Sequence, residues 1–140
     1  MPTAKGATLL ETCMVAAVIW VLSVISVPSF VRAQQRFVLS STAYEVRSEL
    51  HRARILAITR NQDCRLRVTS PNTYLLECQT PAWVSVRLTY LPAGVSISAN
   101  NRPDFHPMGN AGPLASITVW NESGDRRKII VSRGGRIRME

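Results

Sequence analysis

Lysine is almost missing from this 140-residue chain. Of its 17 basic residues only Lys5 and Lys128 are lysine; the others are arginine, set against 9 acids for a net charge of +8. Arginine favours bidentate contacts with phosphate and carboxylate, so the imbalance points to nucleic acid, anionic lipid or an acidic partner, with a solvated charged face as the plain alternative. Histidine and cysteine are scarce, at two and three, and no Cys/His spacing suits zinc. His51 falls on the expected wet side of a helix, and His106 lies in a Pro-rich loop with only Asp104 nearby. Ser132 has no Gly-X-Ser-X-Gly context. Phosphate loops and dinucleotide fingerprints are absent, as are internal repeats and low-complexity tracts. These absences speak against an enzyme, and no cofactor or metal is expected.

Charge is also missing where it matters most. From Thr12 to Val31 there are 20 uncharged residues, about the ~20 a helix needs to cross a ~30 Å hydrocarbon core. Glu11 sits at the start of that apolar stretch, and a carboxylate there is costly in lipid, so it reads as functional. Lys5 precedes the run and the next cation is Arg32; this weak bias keeps the N-terminus in the cytoplasm. An ordinary secretory signal fits poorly. The leader is only six residues, and Val27-Pro28-Ser29-Phe30 is not a small-residue cleavage site. A cut at Gly6 would instead leave the apolar helix on the mature chain.

Lys5-Gly6-Ala7-Thr8-Leu9-Leu10-Glu11 before a long apolar helix resembles the class III signal of type IV pilins and pseudopilins. The resemblance implies cleavage between Gly6 and Ala7 by a prepilin peptidase, with methylation of the new N-terminus at Ala7. It implies that Glu11 pairs with the N-terminal amine of a neighbouring subunit during assembly. Pro28 lies where such pilins commonly carry a helix-kinking proline. One departure is Ala7, where the family usually has Phe.

After Pro28 the apolar positions Phe30, Phe37, Ala43, Val46, Leu50, Ala53 and Ala57 recur at mostly helical spacing. Glu45, Arg47, Glu49, Arg52 and Arg54 mark the wet side, and Asn61-Gln62-Asp63 ends the helix. A continuous helix from Ala7 to Asn61 would be roughly 80 Å long. Ser40-Ser41-Thr42 could instead break it, with Thr42 and Glu45 as a capping box. From Cys64 the pattern changes to short alternating segments: 65–69, 74–78, 84–90, 95–98, 116–120, 128–132 and 136–139. Turn residues separate them. The expected organisation is a leader over 1–6, a membrane or filament-core helix over 7–33, a head-facing helix over 34–63 and a β-rich head over 64–140. The fold class is α+β, a long N-terminal helix against antiparallel sheets. The segment 100–113, rich in Asn, Pro and Gly, is the longest loop. Trp83 and Trp120 fall in or beside strands and read as core or half-buried.

Cys13 lies in the membrane helix, lipid-facing or packed. Cys64 and Cys78 flank a hairpin whose turn is Ser70-Pro71-Asn72-Thr73. A three-residue loop centred on Pro71 sets them opposite each other, and in an oxidising compartment a disulfide is expected; two buried thiols are the alternative.

Three further stretches, Ala57-Ile58-Thr59-Arg60-Asn61-Gln62, Phe105-His106-Pro107-Met108-Gly109 and Lys128-Ile129-Ile130-Val131-Ser132-Arg133-Gly134-Gly135-Arg136-Ile137-Arg138, resemble the GspH/FimT branch of pseudopilins and minor pilins. With the N-terminal motif, the resemblance covers nearly the whole chain. It implies a head of two antiparallel sheets, other pilins or pseudopilins as partners, and a single-pass location in a bacterial inner membrane with the head in the periplasm.

Arg126, Arg127, Lys128, Arg133, Arg136 and Arg138 place six cations in 13 residues. In a strand, Arg136 and Arg138 share a face, roughly 6.5 Å apart, with Ile137 toward the core. Gly134-Gly135 permits a turn with positive φ and bare amides near an anion. Gly135-Arg136-Ile137-Arg138 resembles the C-terminal Gly-Arg-X-Arg of FimT-type proteins that bind DNA in natural transformation. The resemblance implies DNA contact by Arg136 and Arg138, with Arg133, Lys128 and Gly135 beside them. An exposed charged edge strand is the plain reading. Three functional readings stand: a FimT-like minor pilin, a GspH-like minor pseudopilin of a type II secretion system, and an anchored periplasmic domain that never enters a filament.

Overall fold

The computed structural model describes residues 8–140. Among these, one helix, α1 (Leu9–Arg60), is followed by nine strands: β1 (Cys64–Ser70), β2 (Thr73–Thr80), β3 (Ala82–Tyr90), β4 (Val95–Ala99), β5 (Asp104–Phe105), β6 (Ala111–Gly112), β7 (Ala115–Asn121), β8 (Arg126–Val131) and β9 (Ile137–Met139). The chain divides into two compact units between Gln34 and Gln35.

The first unit is the N-terminal part of α1. Its large apolar side chains, from Leu9 and Leu10 through Val18, Trp20 and Leu22 to Phe30, are exposed. A helix apolar all round requires lipid or other helices as its surroundings, and α1 is long and apolar enough to cross a membrane. The helix runs on through Pro28, although a proline there deprives the Val24 carbonyl of its donor. Cys13 is a free, exposed thiol.

The second unit begins with the rest of α1. Leu39, Ala43, Val46, Leu50, Ala53 and Ala57 are all buried and recur every three or four residues, one stripe along the helix. Two positions expected on that stripe are not there: Phe30 and Phe37 are exposed. Phe37 precedes Leu39 by two residues, about 200° around the helix, and so faces away. Glu49, expected on the wet side, is buried beside Leu50. No break occurs at Ser40-Ser41-Thr42, because the Thr42 hydroxyl donates to the Val38 carbonyl at 2.9 Å and is satisfied inside the helix. The helix ends at Asn61, whose φ is 51°. Beyond it the Gln62 amide bonds back to the Ala57 carbonyl at 3.2 Å, closing the last turn as a left-handed cap does.

Two antiparallel sheets cover the stripe. The first has strand order β3-β2-β1-β5-β6 and the second β4-β7-β8-β9. All seven strands expected from alternation are present. Leu66, Tyr74, Leu76 and Phe105 from the first sheet and Ile97, Ile117, Val119, Ile129 and Val131 from the second join the helix stripe in one core. The Ile97 amide donates to the Pro71 carbonyl at 2.7 Å, tying the second sheet to the β1–β2 turn of the first.

Cys64 and Cys78 are register partners across β1 and β2 and form a disulfide. The turn that sets this register is a two-residue loop, Pro71-Asn72, plus a bulge between Val68 and Ser70, rather than the expected three-residue loop. The extra residue in the strand gives the same parity. Segment 100–113 is not simply a loop either. β5 pairs with β1 through Cys64↔Phe105, and β6 pairs with β5. Strands of two residues are too short to show alternation, so the sequence pattern misses them.

Candidate nucleic-acid interface

β8 decides where the basic residues go. Ile129 and Val131 are buried and Lys128 is exposed, so the pleat turns Lys128 and Ile130 to the outer face. β9 lies antiparallel beside it with Ile130↔Arg138 and Val131↔Ile137 as partners. Cross-strand partners share a face, so Arg138 joins Lys128 outside while Ile137 is buried. Arg136, two residues earlier, is exposed at the mouth of the strand. Arg133 is exposed in the turn between them. Among the described residues, none of Lys128, Arg133, Arg136 and Arg138 lies within ion-pair distance of a carboxylate.

The turn that presents these cations is fastened from behind. The Gly135 amide donates to the Ser132 carbonyl at 2.9 Å, and the Ser132 hydroxyl accepts from the Arg136 amide at 3.2 Å. Gly135 has φ +72°, and a Cβ there would run into the Gly109 carbonyl oxygen. That same oxygen accepts from Arg54 Nε at 2.9 Å, and the Arg133 carbonyl accepts from the Ala111 amide at 2.8 Å. Gly135 is therefore buried with its amide occupied; it does not offer a bare amide to an anion. Its small size lets the β8–β9 turn lie against the 106–109 turn. Two motifs distant in sequence are in this way parts of one packing contact.

The first sheet treats its arginines differently. Arg65 Nε lies 2.8 Å from Glu77 Oε2 and its guanidinium stacks 3.7 Å over Trp83. Arg67 reaches Glu77 at 3.6 Å, and Arg87 and Arg52 reach Glu49 at 3.1 and 3.8 Å.

His51 lies between Arg47 and Arg54, and burial, then those two charges, lower its pKa from the usual 6.5. His106 is not alone as expected: its Nδ1 lies 2.8 Å from Asp63 Oδ1, a partner 43 residues away that local sequence could not reveal. Asp104, two residues before His106, has an unpartnered buried Oδ1. Burial raises its pKa, against the opposing pull of Arg65 and His106. Among the described residues no group of three or more His, Cys, Asp and Glu could hold a metal. Glu11 lies in the first turn of α1, exposed. Gly6 and Ala7 lie outside the described residues.

The family model of GspH, described as a type II transport protein, matches residues 42–135. The chain belongs to this family. It is a minor pilin or pseudopilin with the pilin-like head of the group. A pilin-like protein of Thermus thermophilus, PilA1, is 29% identical to it over 160 residues, covering 99% of both chains. The minor pseudopilin EpsH from the type 2 secretion system of Vibrio cholerae superposes with a TM-score of 0.65 at 13% identity, over 73% of this chain and 95% of that one. The type IV minor pilin FimU of Pseudomonas aeruginosa does so with a TM-score of 0.61 at 15% identity, over 73% and 92%. At such identities the two structures establish the fold alone.

Proposed function

We propose that this GspH-family protein is a minor pilin of a type IV pilus whose head takes up DNA through the outer face of β8 and β9. Arg136 and Arg138 contact successive phosphates, and Arg133 and Lys128 flank them. The observation that carries this reading is that these four cations are exposed and, among the described residues, none is within ion-pair distance of a carboxylate, although Glu140 is the backbone partner of Lys128. Binding of this kind follows the phosphate backbone and carries little sequence information. Gly6 and Ala7 mark the peptidase cut and the methylated N-terminus, and Glu11 pairs with the amine of the next subunit. The chain waits in the inner membrane with its head in the periplasm.

The head from Gln35 to Glu140 holds the whole core, from Leu39 to Ile137, and serves for the test. With about four phosphate contacts, log K falls against log salt with a slope near −3.6 on duplex DNA. Arg136→Gln/Arg138→Gln should abolish most of the binding. Binding that survives this change would assign it to general charge, and absence of binding at low salt would remove DNA from the function.

The second reading is a minor pseudopilin of a type II secretion system, favoured by the family description and the EpsH superposition. There the head meets other pseudopilins or cargo. Neighbouring pilus or secretion genes separate the two. Glu11→Val should block incorporation in both; unchanged incorporation would favour an anchored domain outside any filament.

A further inference from the structure

The six C-terminal cations do not form one patch. Arg126 and Arg127 stand at the start of β8, and they line a pocket of about 280 Å3 with Arg36, Leu39, Ser40 and Asp125. The pocket exists because the β7–β8 turn is pinned to the helix. The Ser123 hydroxyl donates to the Gln35 amide oxygen, and Arg36 Nε lies 3.4 Å from Asp125 Oδ2. Asp125 is the pocket's only acidic lining residue, and Arg36 already engages it. Among the described residues, Arg126 and Arg127 have no carboxylate within ion-pair distance. All three guanidiniums are exposed. Arg127 has the pleat position of Ile129 and Val131, on the helix side of the sheet, and this brings its charge to the pocket rather than to the outer face.

We propose that this pocket binds the phosphate of an anionic phospholipid headgroup. The inference rests on the apolar run lying in a membrane, and not on DNA uptake. That run ends at Val31, and Arg36 follows it by five residues, which span at most about 18 Å even when fully extended. A three-arginine pocket is thus tethered within reach of the headgroup layer. The planar forks of arginine suit phosphate oxygens, and the single carboxylate leaves two positive charges uncompensated. Arg133 and Arg136 lie elsewhere: their turn packs at Arg54, 18 residues further along α1 than Arg36, or about 27 Å of helix, while Lys128, with the pleat position of Arg126, stands between the two groups. One strand, β8, thus connects two anion sites, one beside the membrane-proximal part of the head helix and one at its far end. Lipid held at the first would keep the head against the membrane until the subunit leaves it.

The test uses the full-length chain in detergent micelles doped with equal amounts of dioleoyl-phosphatidylglycerol and dioleoyl-phosphatidylcholine, with retained lipid counted by native mass spectrometry. The wild type should retain phosphatidylglycerol over phosphatidylcholine by at least about fivefold, the contribution of one cation near an anionic surface. Arg36→Gln/Arg126→Gln/Arg127→Gln should bring the two lipids to parity with an unchanged unfolding midpoint, while Arg133→Gln/Arg136→Gln/Arg138→Gln keeps the preference. Parity in the wild type, or a preference that survives the pocket substitutions, overturns the proposal. Displacement of the lipid by glycerol phosphate at millimolar concentration would assign the pocket to a free phosphate ester instead. Retained DNA binding in the pocket variant is expected; its loss, together with parity in the wild type, would make the pocket part of the DNA site.

Discussion

The two sheets of the head use arginine in opposite ways. In the first, Arg65, Arg67 and Arg87 are tied to Glu77 and Glu49, and Arg65 is also stacked on Trp83. In the second, Lys128, Arg133, Arg136 and Arg138 stand on an accessible rim without carboxylate partners among the described residues. A guanidinium already held by a nearly buried carboxylate has little left to offer a ligand, and its removal unbalances the fold. A guanidinium facing water contributes little to stability and is available to a polyanion. The comparison predicts that stability and binding separate by sheet.

The largest effect belongs to the first sheet. Glu77→Ala leaves Arg65 charged and mostly buried without its partner, which costs about 3–5 kcal/mol; urea unfolding of the head measures it, and DNA affinity should hardly change in the fraction that stays folded. A cost below about 1 kcal/mol would mean that the pair behaves as a surface bridge and that the two sheets do not differ in how they use arginine. Next comes the disulfide. Cys64→Ser/Cys78→Ser opens a loop of about 15 residues, which should cost about 3 kcal/mol, read as a lower midpoint relative to the oxidised wild type.

Gly135→Ala tests the join between the 106–109 and β8–β9 turns. A positive φ with a side chain costs about 1–3 kcal/mol, and the collision with the Gly109 carbonyl adds to it. Because the same turn aims Arg133 and Arg136, this variant should lose DNA binding as well as stability, unlike Glu77→Ala. Arg136→Gln/Arg138→Gln should stay within about 0.5 kcal/mol of wild-type stability, while its salt slope for DNA falls by about 1 per lost phosphate contact.

The smallest effect is a pH dependence in the first sheet. Burial raises the pKa of Asp104 in the folded head, so the folded state binds more protons than the unfolded one above the unfolded value of about 3.9. Stability contributed by Asp104 therefore falls as pH rises from there through the folded-state value. Asp104→Asn should flatten that part of a stability–pH curve, and an unchanged curve would show that Arg65 and His106 offset the burial.

Much of this could be read locally. The uncharged run, the seven longer strands and the two exposed arginines around Ile137 are period and composition, which neighbouring residues express among themselves. The positions of the cysteines gave their register, although the bulge and the two-residue turn that produce it were not visible. Local pattern misplaces Phe37 and Glu49 because the helix stripe is set by where the sheets press, and an apolar residue just outside the contact looks the same in sequence as one inside it. β5 and β6 are held by β1 and not by any preference of their own. Asp63 reaches His106 only through the fold.

The sequence alone determined that this protein has an apolar N-terminal helix, a β-rich head and a cluster of C-terminal cations, because hydrophobic period and charge are properties of short stretches. Only the tertiary structure decided where the cations stand. It set Arg133 and Arg136 at the β8–β9 turn and Arg126 and Arg127 beside Arg36 of the helix, paired the arginines of the opposite sheet with buried acids, and turned Gly135 from an expected anion contact into a packing point. Each of these outcomes depends on which distant residue lies opposite, and that is set by the closing of the two sheets over the helix.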